Sequence, residues 1–240
     1  MLSNIFANIT KAMEKEHGKN IDEIMLDHEL ELQNDPVLFV ETYAKYIDWS
    51  YGDQKNYTKT LEYAFALPQI KEQLFRYDES DVYKIRQCVD AFEGVATSLE
   101  YTGKIDEAIS CYIEATSITE ALYTRNSEQW WFNYDRSLVN LYLAYINIEP
   151  ANHEQYKKAI PLITKCISLQ ELHYTEPTKY YEFEEHSYLE RYNDLLYVLK
   201  EIEDHESFNI YNERVKVLFV EKISTTGKSA YKDKYTHINW

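Results

Sequence analysis

Glycine and proline are scarce in this chain, which has five residues of each among 240. Folds rich in turns draw heavily on these two residues, because both favour the backbone conformations of chain reversals. Phosphate-binding loops and tight catalytic turns also depend on glycine. The scarcity therefore favours long helices joined by short connections, and it argues against a catalytic site built on glycine-rich loops.

Cysteine is rare as well, and the three residues, Cys88, Cys111 and Cys166, lie far apart. An odd number of separated cysteines without a Cys-x-x-Cys pair does not form a disulfide framework. The opening residues 1–6 lack the basic stretch and the apolar run of a signal peptide. No apolar segment approaches the length of a membrane span. We therefore expect a soluble, cytoplasmic protein.

Basic residues are outnumbered, with 25 Lys and Arg against 41 Asp and Glu, which gives a formal net charge of −16. A field of this sign repels phosphate backbones and anionic lipid surfaces. We therefore expect no direct contact with nucleic acid or membrane, and we expect a protein or peptide partner with a basic surface. Solubility alone is the simpler reason for such a charge.

Tyrosine, by contrast, is abundant, with 23 residues. Its ring can pack against apolar neighbours while the hydroxyl reaches water or a polar partner. We interpret most of these rings as filling half-buried seams between helices, because they are too many for a single groove. The alternative is that some of them line a binding groove, where tyrosine gives contact area at low entropic cost.

The clearest helical periodicity runs from Val89 to about Tyr123. Its first half predicts an amphipathic helix, and Gly103 stands where that helix would close in a left-handed cap. Asp106 and Glu107 then open a second helix, where carboxylates oppose the positive end of the helix dipole. The apolar face of the first helix comprises Phe92, Val95, Ala96 and Leu99, and that of the second comprises Ala108, Ile109, Tyr112, Ala115, Ile118 and Leu122.

Residues 89–122 resemble a tetratricopeptide repeat, a unit of two antiparallel helices with small residues where the helices cross. Ala96 and Ala108 stand at the places of close contact, and Tyr112 and Ala115 follow as they do in that family. Other parts of the chain match more loosely. The resemblance implies an all-α, right-handed superhelical array of about five antiparallel helix pairs, a TPR-like α-solenoid.

Weaker helical patterns flank this repeat on both sides. Pro68 is expected to bend one of them, and Pro161 to kink another or to shift its start. The further predicted helices run from Leu2 to about His17, Ile21 to about Leu32, Asp35 to about Trp49, Tyr57 to about Phe75, Trp130 to about Ile148, Tyr156 through Cys166, Glu176 to about Ile202 and Phe208 to about Ile223.

These patterns predict a single helical-repeat domain over residues 1–223, with N-terminal helices in 1–34 and TPR-like pairs in 35–223. The tail, residues 224–240, is polar, aperiodic and locally basic. We expect a loose end there. The alternative is a segment that folds back onto the acidic body or docks a partner.

Chemical motifs are weak throughout the chain. Gly227-Lys228-Ser229 lacks the earlier glycine of a phosphate-binding loop, and Glu14-x-x-His17 is the only Glu-x-x-His pair, where a di-metal bundle needs two. Each cysteine lies in an apolar helical pattern, where burial makes a thiol inert. We therefore expect no catalytic residues, no cofactor and no metal.

The tetratricopeptide resemblance also indicates where a partner would bind, because the first helix of each pair lines the concave groove in that family. The groove-facing residues would be Asp90, Glu93, Thr97, Glu100 and Tyr101. The repeats that grip chaperone C-terminal carboxylates use Lys, Arg and Asn there, so this acidic repeat should instead suit a basic or Arg-bearing partner. The alternative is that the carboxylates form only a hydrated helix face.

Trp130, Trp131 and Phe132 form the most aromatic run of the sequence. Adjacent residues point about 100° apart on a helix, so three rings cannot all be buried on one narrow face. An exposed ring here would be a good interface anchor, and Trp130 and Trp131 are our candidates. The alternative is a broad contact between successive helix pairs combined with a cap at the helix start.

Three functions remain open from the sequence. The leading hypothesis is a non-catalytic adaptor or regulator that holds a protein or peptide in an acidic, Tyr-rich groove. The second is an acidic inhibitor, such as an immunity or anti-defence protein, that covers a basic active site or mimics nucleic acid. The third is a helical-repeat enzyme or regulator with a small-molecule pocket. The sequence leaves the oligomeric state open.

Overall fold

The computed structural model describes residues 35–52, 55–78, 80–148, 152–173 and 181–222. Every regular element in these ranges is helical, which confirms the all-helical prediction for the described part of the chain. The predicted helices from Leu2 and Ile21 and the tail 224–240 lie outside the described residues. The α-helices are α1 (Pro36–Gly52), α2 (Tyr57–Glu62), α3 (Leu67–Leu74), α4 (Val82–Tyr101), α5 (Ile105–Arg125), α6 (Ser127–Ile146), α7 (His153–His173), α8 (Tyr181–Glu201) and α9 (His205–Lys222).

The chain divides into two compact units, with the division between Ala115 and Thr116, inside α5. In the first unit, α1 packs against α4, and the short helices α2 and α3 pack against both. The first half of α5 contacts α4 through Cys111 and Tyr112. In the second unit, the rest of α5 contacts α6, and α6 packs against α7, α7 against α8 and α8 against α9.

Capping side chains explain where several helices begin. The Asp35 carboxylate accepts the backbone N–H groups of Val37 and Leu38, and Pro36 fits the first turn because it has no N–H to satisfy. The Asn126 side chain likewise accepts the N–H of Gln129 at the start of α6. That helix therefore begins at Ser127, ahead of the predicted start at Trp130.

Two prolines act in different ways. The predicted helix 57–75 is broken rather than bent: a 3-10 turn (Ala64–Ala66) follows α2, and Pro68 then occupies the first turn of α3. Pro161 lies inside α7, which runs unbroken from His153, so this proline does not set the start of its helix. It is exposed, and the hydroxyl of Thr164 donates to its carbonyl at 3.0 Å.

Gly103 ends α4 as predicted, in a left-handed conformation with φ of +79°. The N–H of Lys104 bonds to the carbonyl of Leu99, and the N–H of Gly103 bonds to the carbonyl of Glu100. This pair of bonds defines the Schellman motif, which satisfies carbonyls that the helix end would otherwise leave free. The turn from α4 to α5 is therefore fixed by local backbone chemistry.

The end of α8 has the same motif without a glycine. Asp204 N–H bonds to the carbonyl of Leu199, Glu203 N–H bonds to that of Lys200, and Glu203 has φ of +60°. A residue with a Cβ is strained in this conformation, where glycine is not. The α8–α9 turn thus carries a local strain that the α4–α5 turn avoids.

The buried residues of α4, α6 and α8 follow the same spacing along their helices. In α4 the recurring buried positions are Cys88, Val89, Ala91, Phe92, Val95, Ala96, Ser98 and Leu99. In α6 the same spacing selects Tyr134, Asp135, Ser137, Leu138, Leu141, Tyr142, Ala144 and Tyr145. In α8 it selects Leu189, Tyr192, Leu195, Leu196, Val198 and Leu199.

The helices between them share a second burial pattern. In α5 it comprises Ala108, Tyr112, Ala115, Thr116, Ile118 and Thr119, and in α7 it comprises Ala159, Ile163, Cys166, Ile167, Leu169 and Gln170. Ala96 and Ala108, the two positions of predicted close contact, are both fully buried. Because the buried positions recur at the same spacing, a residue of α4 can be compared with the residue at the matching position of α6 or α8, and a residue of α5 with that of α7.

The two Schellman motifs provide a paired stability test. Gly103→Ala places a Cβ in the left-handed region and is expected to lower the free energy of unfolding by about 1 kcal/mol. Glu203→Gly removes that strain and is expected to raise it by about 0.5–1 kcal/mol. Urea unfolding followed by circular dichroism measures both changes.

Within the described part of the chain, no atom beyond Gly103 and its two chain neighbours lies within 4 Å of a Cβ built at Gly103, so a clash does not confound this test. Glu201→Gly, at an exposed helical position beside the α8 turn, is the control and is expected to destabilise because glycine weakens a helix. Stabilisation by Glu201→Gly, or destabilisation by Glu203→Gly, would contradict the assignment of strain to the left-handed position.

Candidate functional site

The predicted groove residues of α4 do not share one level of exposure. Glu93 is buried, with 8% of its surface exposed, whereas Asp90, Thr97 and Glu100 are half-buried and Tyr101 is 68% exposed. Beside Glu93, a Cβ at Gly94 would lie 3.3 Å from the ring of Tyr51, so α1 approaches α4 closely here. The side chains open to a partner therefore concentrate toward the C-terminal end of α4.

Several tyrosines meet near that end. The rings of Tyr57 and Tyr101 stack in parallel, with centroids 4.3 Å apart and planes 3° apart, and Tyr51 lies 6.3 Å from Tyr57. Tyr112 of α5 adds a fourth ring through its hydroxyl contacts with α4. We call Tyr51, Tyr57, Tyr101, Tyr112 and Glu100 the tyrosine surface.

A hydrogen-bonded chain positions the one carboxylate of the tyrosine surface. The Tyr112 hydroxyl donates to Glu100 Oε2 at 3.1 Å and lies 2.9 Å from the hydroxyl of Thr97. Burial, in the first place, and the nearby Glu100 charge raise the pKa of Tyr112, which keeps this phenol protonated at neutral pH. Glu100 is thereby held in place by a neutral donor.

The sequence indicated only part of this surface. It singled out Thr97, Glu100 and Tyr101, which the structure brings together with Tyr112. It did not point to Tyr57, which is distant along the chain and reaches Tyr101 only through the packing of α2 against α4. The abundance of tyrosine was the one available signal for such a contact.

The aromatic run of α6 divides into three environments. Trp130 is buried, with 2% of its surface exposed, Trp131 is half-buried, and Phe132 is 47% exposed. The expectation that not all three rings fit one narrow face is therefore confirmed. Of the two candidate anchors, only Trp131 has surface available to a partner.

Trp131 is part of a small aromatic cluster in the second unit. Its ring stacks on His173 at the end of α7, with centroids 5.4 Å apart, and meets the edge of Phe132 at 5.8 Å. The Tyr123 hydroxyl lies 3.2 Å from His173 Nε2. Burial lowers the pKa of His173 against the opposing charge of Glu128, so the neutral imidazole is favoured in this contact.

A buried polar cluster, absent from the sequence expectations, joins α6, α7 and α8. Gln170 Nε2 donates to Asp135 Oδ2 at 3.2 Å, and the Arg191 guanidinium lies 3.7 Å from the same oxygen. The Tyr142 hydroxyl donates to Asp194 Oδ2 at 2.8 Å, and Arg191 lies over the Tyr142 ring at 5.9 Å. We call these five side chains the polar cluster.

The three cysteines lie in apolar or hydrogen-bonded surroundings. Burial raises the pKa of Cys88 and of Cys111 to about 12, and it raises that of Cys166 well above the ordinary value. All three thiols are therefore protonated at neutral pH, where a catalytic cysteine needs a thiolate.

Comparison with known proteins adds no assignment to this geometry. No family model matches the chain, and no curated protein matches it. Within the residues that the structure describes, no helix is long and apolar enough to cross a membrane. In the same ranges, no group of three or more His, Cys, Asp or Glu side chains is arranged to hold a metal ion.

Alanine substitutions at the first and last residues of the aromatic run test the difference in burial. Trp130→Ala is expected to lower the free energy of unfolding by about 3–5 kcal/mol, because it leaves a large cavity. Phe132→Ala is expected to change it by only about 0.5 kcal/mol, because nearly half of that side chain already faces water. Denaturant midpoints at constant slope give the comparison, and equal losses for both variants would contradict the observed burial.

Proposed function

We propose that this protein is a non-catalytic, TPR-like helical-repeat adaptor or regulator that binds a basic protein or peptide through the tyrosine surface. The observation that carries the proposal is the stack of the exposed Tyr101 ring on the half-buried Tyr57 ring, with the positioned carboxylate of Glu100 one residue before Tyr101 in α4. Exposed aromatic rings next to a fixed charge are typical of binding hot spots. The formal charge of −16 adds attraction for a basic partner at longer range.

Arginine is the side chain that matches this surface best. Its planar guanidinium can stack on an aromatic face and donate hydrogen bonds to a carboxylate at the same time. Tyr101 offers an exposed ring, and Tyr112 holds Glu100 before any partner arrives. Because the acceptor is already oriented, less conformational entropy is lost on binding. We therefore favour a partner that presents arginine over one that presents lysine.

The recurring burial patterns support the repeat part of the proposal. They fit three antiparallel pairs, α4–α5, α6–α7 and α8–α9, in which the first helices share one spacing and α5 and α7 share another. Small residues at Ala96 and Ala108 would let the first pair nest closely.

The acidic character is local to the first pair. At the positions of α6 that match Asp90, Glu93, Thr97 and Glu100 in α4, the sequence has Arg136, Val139, Leu143 and Ile146. At the matching positions of α8 it has Glu190, Asn193, Tyr197 and Lys200. The proposal is therefore a compact site at the end of α4, rather than a continuous acidic groove.

Binding of labelled peptides tests this site directly. The probes are two fluorescent peptides of equal length and charge, one presenting arginines and the other lysines between glycines, followed by fluorescence anisotropy. The wild-type chain is expected to bind the arginine peptide more tightly. Tyr101→Ala is expected to weaken that binding about fivefold, the value of one exposed cation–π contact.

Tyr83→Ala is the matched control, because Tyr83 is a 75% exposed tyrosine in the first turn of the same helix. It is expected to leave the affinity for the arginine peptide unchanged. Glu100→Gln removes the negative charge and keeps the Tyr101 ring, and it is expected to weaken binding of the arginine peptide. Equal losses for Tyr83→Ala and Tyr101→Ala, or equal binding of both peptides, would show attraction by net charge alone and contradict the site.

A further inference from the structure

The polar cluster departs from the burial pattern that the helices otherwise share. Asp135 stands where α4 has Val89 and α8 has Leu189, and all three positions are buried. Arg191 stands where the other two helices have the small buried residues Ala91 and Ser137. A carboxylate and a guanidinium thus take the places of an apolar and a small side chain where α6, α7 and α8 meet.

Charge in the polar cluster is incompletely balanced. Two carboxylates, Asp135 and Asp194, face one guanidinium, that of Arg191. The buried atoms Asp135 Oδ1, Arg191 Nε and Gln170 Oε1 have no hydrogen-bond partner among the described residues. Removing such groups from water costs free energy unless they are fully paired. The second negative charge, which no second cation of the cluster balances, therefore raises the free energy of the packed state.

We infer that the polar cluster is a proton-operated latch that controls how tightly α8 is held against α6 and α7. When one of the two carboxyls is protonated, a single negative charge faces a single guanidinium and the latch closes. When that proton is lost, the second buried charge favours separation of α8, which lets water reach the carboxylates. Arg191 and Asp194 both lie on α8, so opening this helix hydrates both carboxylates at once.

The direction of the pH dependence follows from the surroundings. Burial, opposed in part by Arg191, raises the pKa of Asp135, and burial opposed by the Tyr142 hydroxyl and by Arg191 raises the pKa of Asp194. A carboxyl whose folded pKa is raised stabilises the closed state most below its ordinary pKa. That stabilisation is lost as the pH rises through the raised pKa. Low pH therefore favours the packing of α8 against α6 and α7, and high pH weakens it.

The other groups that face the cluster keep one charge state across this range. Burial raises the pKa of the Tyr142 phenol and of the Cys166 thiol, which both stay neutral, and Arg191 stays positive. Gln170 of α7 does not titrate. Glu190, the neighbour of Asp194 on α8, adds a negative charge that further raises the pKa of Asp194. Among the described side chains of the cluster, Asp135 and Asp194 are therefore the groups that respond.

Hydrogen exchange of the full chain, read by mass spectrometry between pH 4 and pH 8, tests the latch. After correction for intrinsic exchange rates, amides of residues 189–201 are expected to open severalfold more often at pH 8 than at pH 4, because the stabilisation by a protonated carboxyl is lost as the pH rises. Amides of α4, whose matching positions are uncharged, should change much less. A flat wild-type profile over residues 189–201 would overturn the inference without any variant.

Asp194→Asn supplies a neutral side chain of the same shape whose carbonyl can still accept the Tyr142 hydroxyl. It is expected to hold α8 closed at pH 8 as tightly as the wild type does at pH 4. Asp135→Asn is the second variant, and it replaces Asp194→Asn in this test if Asp194→Asn does not fold. Glu213→Gln, on an exposed position of α9, is the control and should keep the wild-type profile.

Two results separate the latch from a purely structural cluster. A cluster that only fixes the packing of the three helices would change overall stability on mutation and leave the pH profile of residues 189–201 intact. Retention of the wild-type profile by Asp194→Asn and Asp135→Asn would therefore overturn the inference. Its loss in either variant, with the profile kept by Glu213→Gln, supports it.

Discussion

Close approach between neighbouring helices is the constraint on which this structure depends. A single amphipathic helix cannot bury its own apolar face, so each helix here is stable only because another lies against it. Small residues permit that contact: Ala96 and Ala108 are fully buried, and Gly94 leaves room for the ring of Tyr51. Larger side chains at these positions would push the helices apart and expose the apolar rows beside them.

The same constraint explains why surface features are assembled from distant segments. Tyr57 and Tyr101 meet because α2 packs against α4, and Trp131 meets His173 because α6 packs against α7. Neither contact is encoded by local spacing. Both arise where helix ends come together, since side chains there are only partly covered by their neighbours and keep one face toward solvent.

Sequence reasoning was strongest where the signal is local. The apolar period of α4 and α5, the cap at Gly103 and the opening at Asp35-Pro36 all depend on residues within a few positions of one another, and the structure has them as predicted. Where two local signals competed, the prediction failed. The apolar pattern of residues 57–75 suggested one helix, yet Pro68 starts a new one because it suits a first turn.

The polar cluster shows the limit of periodicity. Asp135 and Arg191 are charged, so a pattern of apolar positions assigns them to the surface, and only the packed helices reveal that both lie in the interior. Glu93 of α4 illustrates the same error, because it is buried although its charge suggests exposure. Charge predicts exposure on average, and the exceptions require knowledge of which residues oppose one another across a helix contact.

The buried thiols have a practical chemical consequence. Cys88 and Cys166 are buried and Cys111 is half-buried, and all three thiols are protonated at neutral pH, so mild alkylating reagents react slowly with them. A cysteine introduced on an exposed position such as Tyr83 or Ile210 would outcompete them for a maleimide dye. The natural chain, without removal of any native residue, is thus a ready background for attaching a single spectroscopic probe to each unit.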